Sequence, residues 1–301
     1  MLIRLRLEPR LLEEVVHLEI RRRQEGGDAS LFDEYHREAD SLYKLAPEHR
    51  DGEFAALHRR LFRKVGFEGR ITEALSAQRG ELAELESLTC LRTLRPEDEG
   101  ADLAAPVAPA TGRAAVVRIR AARFLALDDL GRFLDHELVH VGDLLSAAFG
   151  HDPGSLTAIS PHRRRLVQER YRAAWGTCVD GRLSRHGRRS LAGRGEHREA
   201  LHRCFPALSD LELDGLLDRL WNDERPTHAR LLAVAVGRGP REPHQPGAPC
   251  PLCGFPTHDW TDVTDDALIR AIHLDVPDWE PDHGLCDRCF EMYELRSLTQ
   301  A

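Results

Sequence analysis

Lysine is nearly missing from this 301-residue chain: Lys44 and Lys64 are the only two, so almost all of its 42 basic residues are arginine. Methionine occurs twice, and aromatic residues make up only 6%. No apolar run approaches the roughly 18 residues that a membrane span needs. The opening "MLIRLRLEPRLLEE" is charged from residue 4 onward and has no continuous apolar stretch of the kind a secretory signal carries. A soluble, cytoplasmic protein is expected, with no membrane partner. There is also no disulfide framework: seven cysteines are an odd number, unevenly spread. Cys90, Cys178 and Cys204 stand alone in apolar surroundings and are expected to be buried, reduced thiols.

What is present fits a folded protein, with 42% hydrophobic and 31% charged residues. The net charge of -8 is unevenly placed. Residues 241–301 hold 12 Asp and Glu against 4 Arg, so the rest of the chain is close to neutral. An acidic tail disfavours contact with nucleic acid, whose phosphates select basic surfaces. It suits a protein partner better. One basic run stands out, "GRLSRHGRRSLAGRGEHR" at 181–198, with six arginines and one glutamate. It is expected either to be a solvated loop or to dock the acidic tail or an acidic partner.

Residues 1–94 read as an N-terminal helical region, with apolar residues at helical spacing in "EPRLLEEVVHLEIRRR" and breaks at Gly26–Gly27, Pro47 and Gly66–Gly69. "TCLRTLRP" predicts a short strand and residues 95–113 a loop. "AAVVRIRAA" predicts a strand, its Val116, Val117 and Ile119 alternating with arginine. A long helix from about Leu127 to Ala148 follows, capped by Asp128 or Asp129. "SPHRRRLVQERYRAAWGTCVDGRLSRHG" predicts a second helix, with Ser160 as its cap and Pro161 in its first turn. Prolines at every third position mark 237–249 as a linker, which separates a domain at 114–236 from a module at 250–301. The fold class is mainly α with a small β-sheet, plus a small C-terminal zinc module.

The first helix contains H-E-L-V-H: His136, Glu137 and His140. Histidines at i and i+4 put two imidazoles on one helix face, one turn apart, with the glutamate beside whatever they bind. On the helix wheel Leu127, Leu130, Leu134, Leu138, Val141 and Leu145 form one apolar stripe. The histidines lie on its flank, together with Asp129 and Asp143. Those two aspartates are candidates to hold the outer imidazole nitrogens, because a ligating histidine wants a carboxylate or carbonyl there. A catalytic zinc usually has a third protein ligand. On the second helix His162, Glu169, Ala173, Gly176 and Asp180 share one stripe that is free of arginine.

The strand followed by an HExxH helix resembles the zincin superfamily of metallopeptidases over roughly 114–184. The resemblance implies an α+β zincin-like core, an edge strand that binds extended peptide, zinc on His136 and His140, and Glu137 as general base. The metzincin extension is absent, since Asp143 and Ser146 occupy its positions. Three sources of the third ligand remain open. "GTCVD" resembles the start of the aspzincin motif and implies Asp180, although Val179 holds the family's own position and the expected Tyr-Gly is missing. Glu169 would be similar to a gluzincin ligand, with Ala173 where that family has an aspartate. His151 would be similar to the ligand of SprT-like metallopeptidases, which also carry a four-cysteine zinc ribbon.

"CPLC" at 250 and "CDRC" at 286 are two C-x-x-C pairs. Cys250, Cys253, Cys286 and Cys289 can close a tetrahedral zinc site with no open position, which marks it as structural. The module resembles zinc ribbons or treble clefs. Two zinc sites are therefore expected, one of catalytic type and one structural, in a zinc-dependent hydrolase that cleaves peptide or protein substrates. The alternatives are a non-catalytic zinc-binding adaptor, or a SprT-like nucleic-acid-associated protease using the 181–198 arginines.

Overall fold

The computed structural model describes residues 3–104, 112–152, 154, 155, 159, 161–237, 247–261, 263, 265–277, 279, 281 and 284–299. They are mainly helical with small sheets, as the sequence predicts. No described helix is long and apolar enough to cross a membrane. The chain divides into two compact units, Met1–Leu231 and Leu232–Ala301.

The first unit is built on a four-stranded sheet of order β1-β2-β4-β3. Strands β1 (Arg4–Leu7), β2 (Leu85–Arg92) and β4 (Arg113–Ile119) run parallel, and β3 (Gly100–Leu103) lies antiparallel on β4 at the edge. Alternation along β4 turns Ala115, Val117 and Ile119 into the core. Helices α1 (Pro9–Glu25), α2 (Ser30–Leu42), α3 (Pro47–Lys64) and α4 (Phe67–Ala77) fall between β1 and β2. Pro9 and Pro47 open their helices at positions where a missing N–H costs nothing. One apolar cluster runs from Leu7 to Leu145, so these helices share a core with the sheet and with α5 (Leu127–Leu145).

The α5 stripe is buried at Leu130, Leu134, Leu138, Val141 and Leu145, with Phe133 added and Leu127 left exposed. Each buried side chain contributes about 1.5–3 kcal/mol, which fixes the rotation of α5 and hence where its histidines point. The helix differs from expectation at both ends. Asp128 and Asp129 lie in the first turn behind Ala126, where their charge complements the helix dipole, and the helix stops before an extended Ser146.

Two further differences concern the strands. The stretch expected to be a loop at 95–113 contains β3, while 105–111 lie outside the described residues. β4, the strand expected to precede the histidine helix at an edge, is internal; the edge beside α5 is β3.

Helices α6 (Pro161–Arg185), α7 (Arg194–Cys204), α8 (Asp210–Trp221) and α9 (His228–Val236) complete the helical part. The expected cap Ser160 lies outside the described residues, as does the side chain of His162. α5 and α6 meet through Val139, Val179, Leu183 and Trp175. α6 also approaches the end of α8 very closely: a Cβ at Gly181 would sit 2.1 Å from the Trp221 carbonyl oxygen, so only glycine fits.

In the second unit, β5 (Ala248–Pro249) pairs with β6 (Pro256–Thr257), and β7 (Trp260–Thr261) pairs with β8 (Leu285–Cys286). Helix α10 (Asp266–Asp275) follows β7, and helix α11 (Asp287–Thr299) follows β8. Val263, Leu268, Ile272, Trp279, Leu285 and Tyr293 pack with three of the cysteines into a small core. Of the expected linker, 238–246 lie outside the described residues.

Candidate metal centres

The two cysteine pairs come together. Cys250 and Cys253 lie on the turn between β5 and β6, where Gly254 takes a left-handed φ of 72° and its N–H returns to the Cys250 carbonyl at 2.8 Å. Cys286 ends β8 and Cys289 lies in the first turn of α11. The Sγ atoms of Cys250 and Cys289 are 3.9 Å apart, and those of Cys253 and Cys286 3.8 Å. A tetrahedron with Zn–S bonds of about 2.3 Å has edges of about 3.8 Å, which these two separations match, and all four sulfurs lie within 4.8 Å of one another. Burial opposes ionisation of Cys250, but backbone N–H groups of Cys253, Cys286 and Leu252 outweigh it and bring the thiol down to about 7. Burial and neighbouring sulfurs push Cys286 and Cys289 up. A divalent cation among the four sulfurs would remove that conflict.

The second cluster lies between α5 and α6. His136 and His140 turn their Nε2 atoms toward each other at 3.1 Å. Two imidazoles on one zinc, with Zn–N bonds of about 2.0–2.1 Å, hold their nitrogens at a similar separation. Burial, then the adjacent His136 imidazole, hold His140 well below the ordinary histidine range, so it is a neutral donor. For His136, burial works the same way, but its hydrogen bond to the Asp180 carboxylate outweighs it and raises the pKa.

The carboxylates take places that differ from expectation. Asp180 accepts the Nδ1–H of His136 at 2.8 Å through Oδ1, so it lies behind the imidazole and not at Nε2. Its oxygens are further occupied by the N–H groups of Leu191 and Ala192 and by Nε2 of His197, the last at 2.8 Å. Burial opposes its charge, yet these donors hold its pKa well below the usual carboxylate range. Asp180 therefore fills the outer-nitrogen role expected of Asp143 and Asp129. Asp143 instead accepts from Trp175 Nε1 and from both Nη atoms of Arg182, and Asp129 from Arg123. Both aspartates are already occupied by arginine and tryptophan donors.

The other candidate third ligands lie elsewhere. Glu169 is half-exposed and pairs with Arg165 on its own helix. His151 packs against the ring of His228 at 5.3 Å. Among the described residues, the four cysteines are the only group of three or more histidine, cysteine, aspartate or glutamate donors within 4.8 Å of one another. His197 is a site residue that the sequence did not single out; it stands inside the arginine run and 17 residues beyond the aspartate it binds.

Glu137 is buried against the sheet edge. Its Oε2 accepts the N–H of Ala101 at 2.7 Å. The Ala104 N–H bonds to the Ala114 carbonyl on β4, so by antiparallel alternation Ala101 and Leu103 direct their backbone groups outward. Burial raises the Glu137 pKa, partly offset by His136 and the Ala101 N–H. A groove of about 470 Å³ runs along β3, lined by residues that include Glu99, Gly100, Ala101, Asp102 and Arg118.

The arginine run is consumed internally. Arg182, Arg185, Arg188, Arg189, Arg194 and Arg198 each pair with a carboxylate, respectively of Asp143, Glu224, Asp135, Asp128, Asp218, and both Asp210 and Asp214. Compared with family models, curated proteins and solved structures, the chain matches none.

Proposed function

We propose that the protein is a zinc-dependent hydrolase acting on peptides, with a second, structural zinc in its four-cysteine module. The observation that carries this is the convergence of His136 Nε2 and His140 Nε2 at 3.1 Å beside a buried glutamate on the same helix turn. A bound zinc supplies Lewis acidity and lowers the pKa of water to near neutrality. Asp180 holds His136 in the tautomer that leaves Nε2 with a free lone pair. Glu137 would serve as the general base: its Oε2 is held by Ala101, and its carboxylate would accept a proton from water. The raised pKa of its buried carboxyl suits that task. The outward N–H groups of Ala101 and Leu103 on β3 are taken by Glu137 and Asp102, so an extended peptide chain would pair with the carbonyl groups of this edge.

A second reading is a zinc-binding adaptor whose acidic module engages a protein partner. It is favoured by the absence of a third protein donor near His136 and His140 among the described residues. Metal analysis separates the two, combined with cleavage of a peptide library by wild type and Glu137→Gln. Two zinc atoms per chain and cleavage lost in the variant support the hydrolase. A single zinc, removed by mutation of the cysteines alone, refutes it.

A further inference from the structure

A cavity of about 860 Å³ lies between α1, α2 and α3, and no residue of α5 lines it. Its walls are rings. Only 6% of the chain is aromatic, yet two of its four tyrosines, Tyr35 and Tyr43, face this one space. Phe32 and Phe54 join them, with the imidazoles of His17, His36 and His58. Helical spacing explains the gathering: Phe32, Tyr35 and His36 share one face of α2, and Phe54 and His58 one face of α3. Tyr35 lies nearly parallel to His58, at 10° with centroids 5.8 Å apart, and meets His17 edge-on at 5.1 Å. Ile20, Tyr35 and His58 form a buried floor.

Size, charge and one unpaired atom decide what fits. The volume is that of a small-molecule site, and aromatic walls favour a flat ring. At the exposed rim Arg10 and Arg21 are balanced by Glu13 and Asp51, so no net charge selects an ion. His58 is 4% exposed, and its Nε2 has no hydrogen-bond partner. Burial, then the neighbouring His17, lower its pKa against a smaller opposing effect of Glu13, so the ring is neutral at neutral pH. A buried polar atom without a partner costs free energy that a ligand's hydrogen bond returns. The torsion that orients an imidazole is soft, so a small rotation brings a ring nitrogen to the cavity. A quaternary ammonium would use the rings but leave that nitrogen unpaired. We infer that this cavity binds a neutral, planar aromatic small molecule of one or two fused rings, seated among these side chains and hydrogen-bonded to His58. The inference is independent of both metal sites.

The test titrates the full chain with indole, which donates a hydrogen bond, and with quinoline, which accepts one, followed by ligand-observed NMR. Naphthalene has the same shape and no polar atom, and serves as the comparison. One of the two polar probes is expected to bind about threefold to tenfold more tightly than naphthalene, the worth of one hydrogen bond. Which of them it is tells whether His58 accepts or donates. His58→Phe should abolish that preference, and Phe54→Ala should weaken all three probes. Phe255→Ala, an exposed ring in the second unit, should change nothing. Overhauser contacts from the bound probe to Tyr35 and His58 of wild type place it without any substitution, so the outcome stands even if a variant does not fold. The inference is overturned if neither indole nor quinoline shows saturable binding to wild type, if naphthalene binds as well as both, or if the contacts place the probe elsewhere. Preferential binding of benzyltrimethylammonium would make the cavity a cation cage and overturn it equally.

Discussion

Asp180 accepts the Nδ1–H of His136 at 2.8 Å, and the same carboxylate draws His197 and the backbone at 191 and 192 onto α6. One fully buried side chain thus orients the candidate metal ligand and anchors the loop behind it. Asp180→Asn should keep the shape but lose the charge and weaken metal binding at His136 by about 10–100-fold, read by competitive zinc titration. Asp180→Ala should also destabilise the metal-free protein by about 3–5 kcal/mol in urea unfolding, because it leaves buried donors unpaired.

A pH dependence follows from His140. Its pKa is depressed in the folded state by burial and by His136, so the unfolded chain binds the proton more readily. The stability associated with a neutral His140 is present above the ordinary histidine value of about 6.5 and is lost as pH falls through the folded value. Metal-free wild type should therefore lose stability relative to His140→Leu on going from pH 8 to pH 5. Urea unfolding of the two proteins across that range checks it. A difference independent of pH would show that His140 titrates normally.

Gly181 and Arg182 test the packing of α6. Gly181→Ala places a methyl 2.1 Å from the Trp221 carbonyl oxygen and should lower stability by about 1–3 kcal/mol, with a lower melting temperature. Arg182→Ala strips Asp143, whose side chain is 11% exposed, of its cation. The cost should approach about 3 kcal/mol, well above that of Arg189→Ala, whose pair with Asp128 is open to solvent.

Removal of the zinc expected at the four cysteines should act on the second unit alone. Its core is small and the cysteines are part of it. Cys289→Ser is expected to lose one zinc and to open residues 247–299 to limited proteolysis, while 3–231 stays resistant. Proteolytic resistance of the whole chain after the substitution would mean that the module folds without metal.

Much of the site was legible because its spacing is local. The i, i+4 histidines, the apolar stripe of α5 and the C-x-x-C pairs are set by helix and turn geometry. The remainder depended on distant contacts. "GADL" has no strand-like composition and becomes β3 only by pairing with β4. Helical periodicity put Asp180 on the correct face of α6, but it could not say whether the carboxylate meets Nε2 or Nδ1 of His136. The return of residues 191 and 192 over α6 decides that. His197 gave no signal, being one histidine in a run of arginines.

The sheet order has a consequence for how the molecule is made. β1 pairs with β2 in a register that joins Leu7 to Cys90, and β2 in turn pairs with β4. Strand β1 must wait for four helices to be synthesised before it finds its neighbour β2, and the sheet is finished only after Ile119 has emerged. Pairings so remote along the chain slow folding. α5 docks on a surface that does not exist until then, so His136, Glu137 and His140 reach their places late. A nascent chain stalled before that point would leave the apolar face of the first helices uncovered.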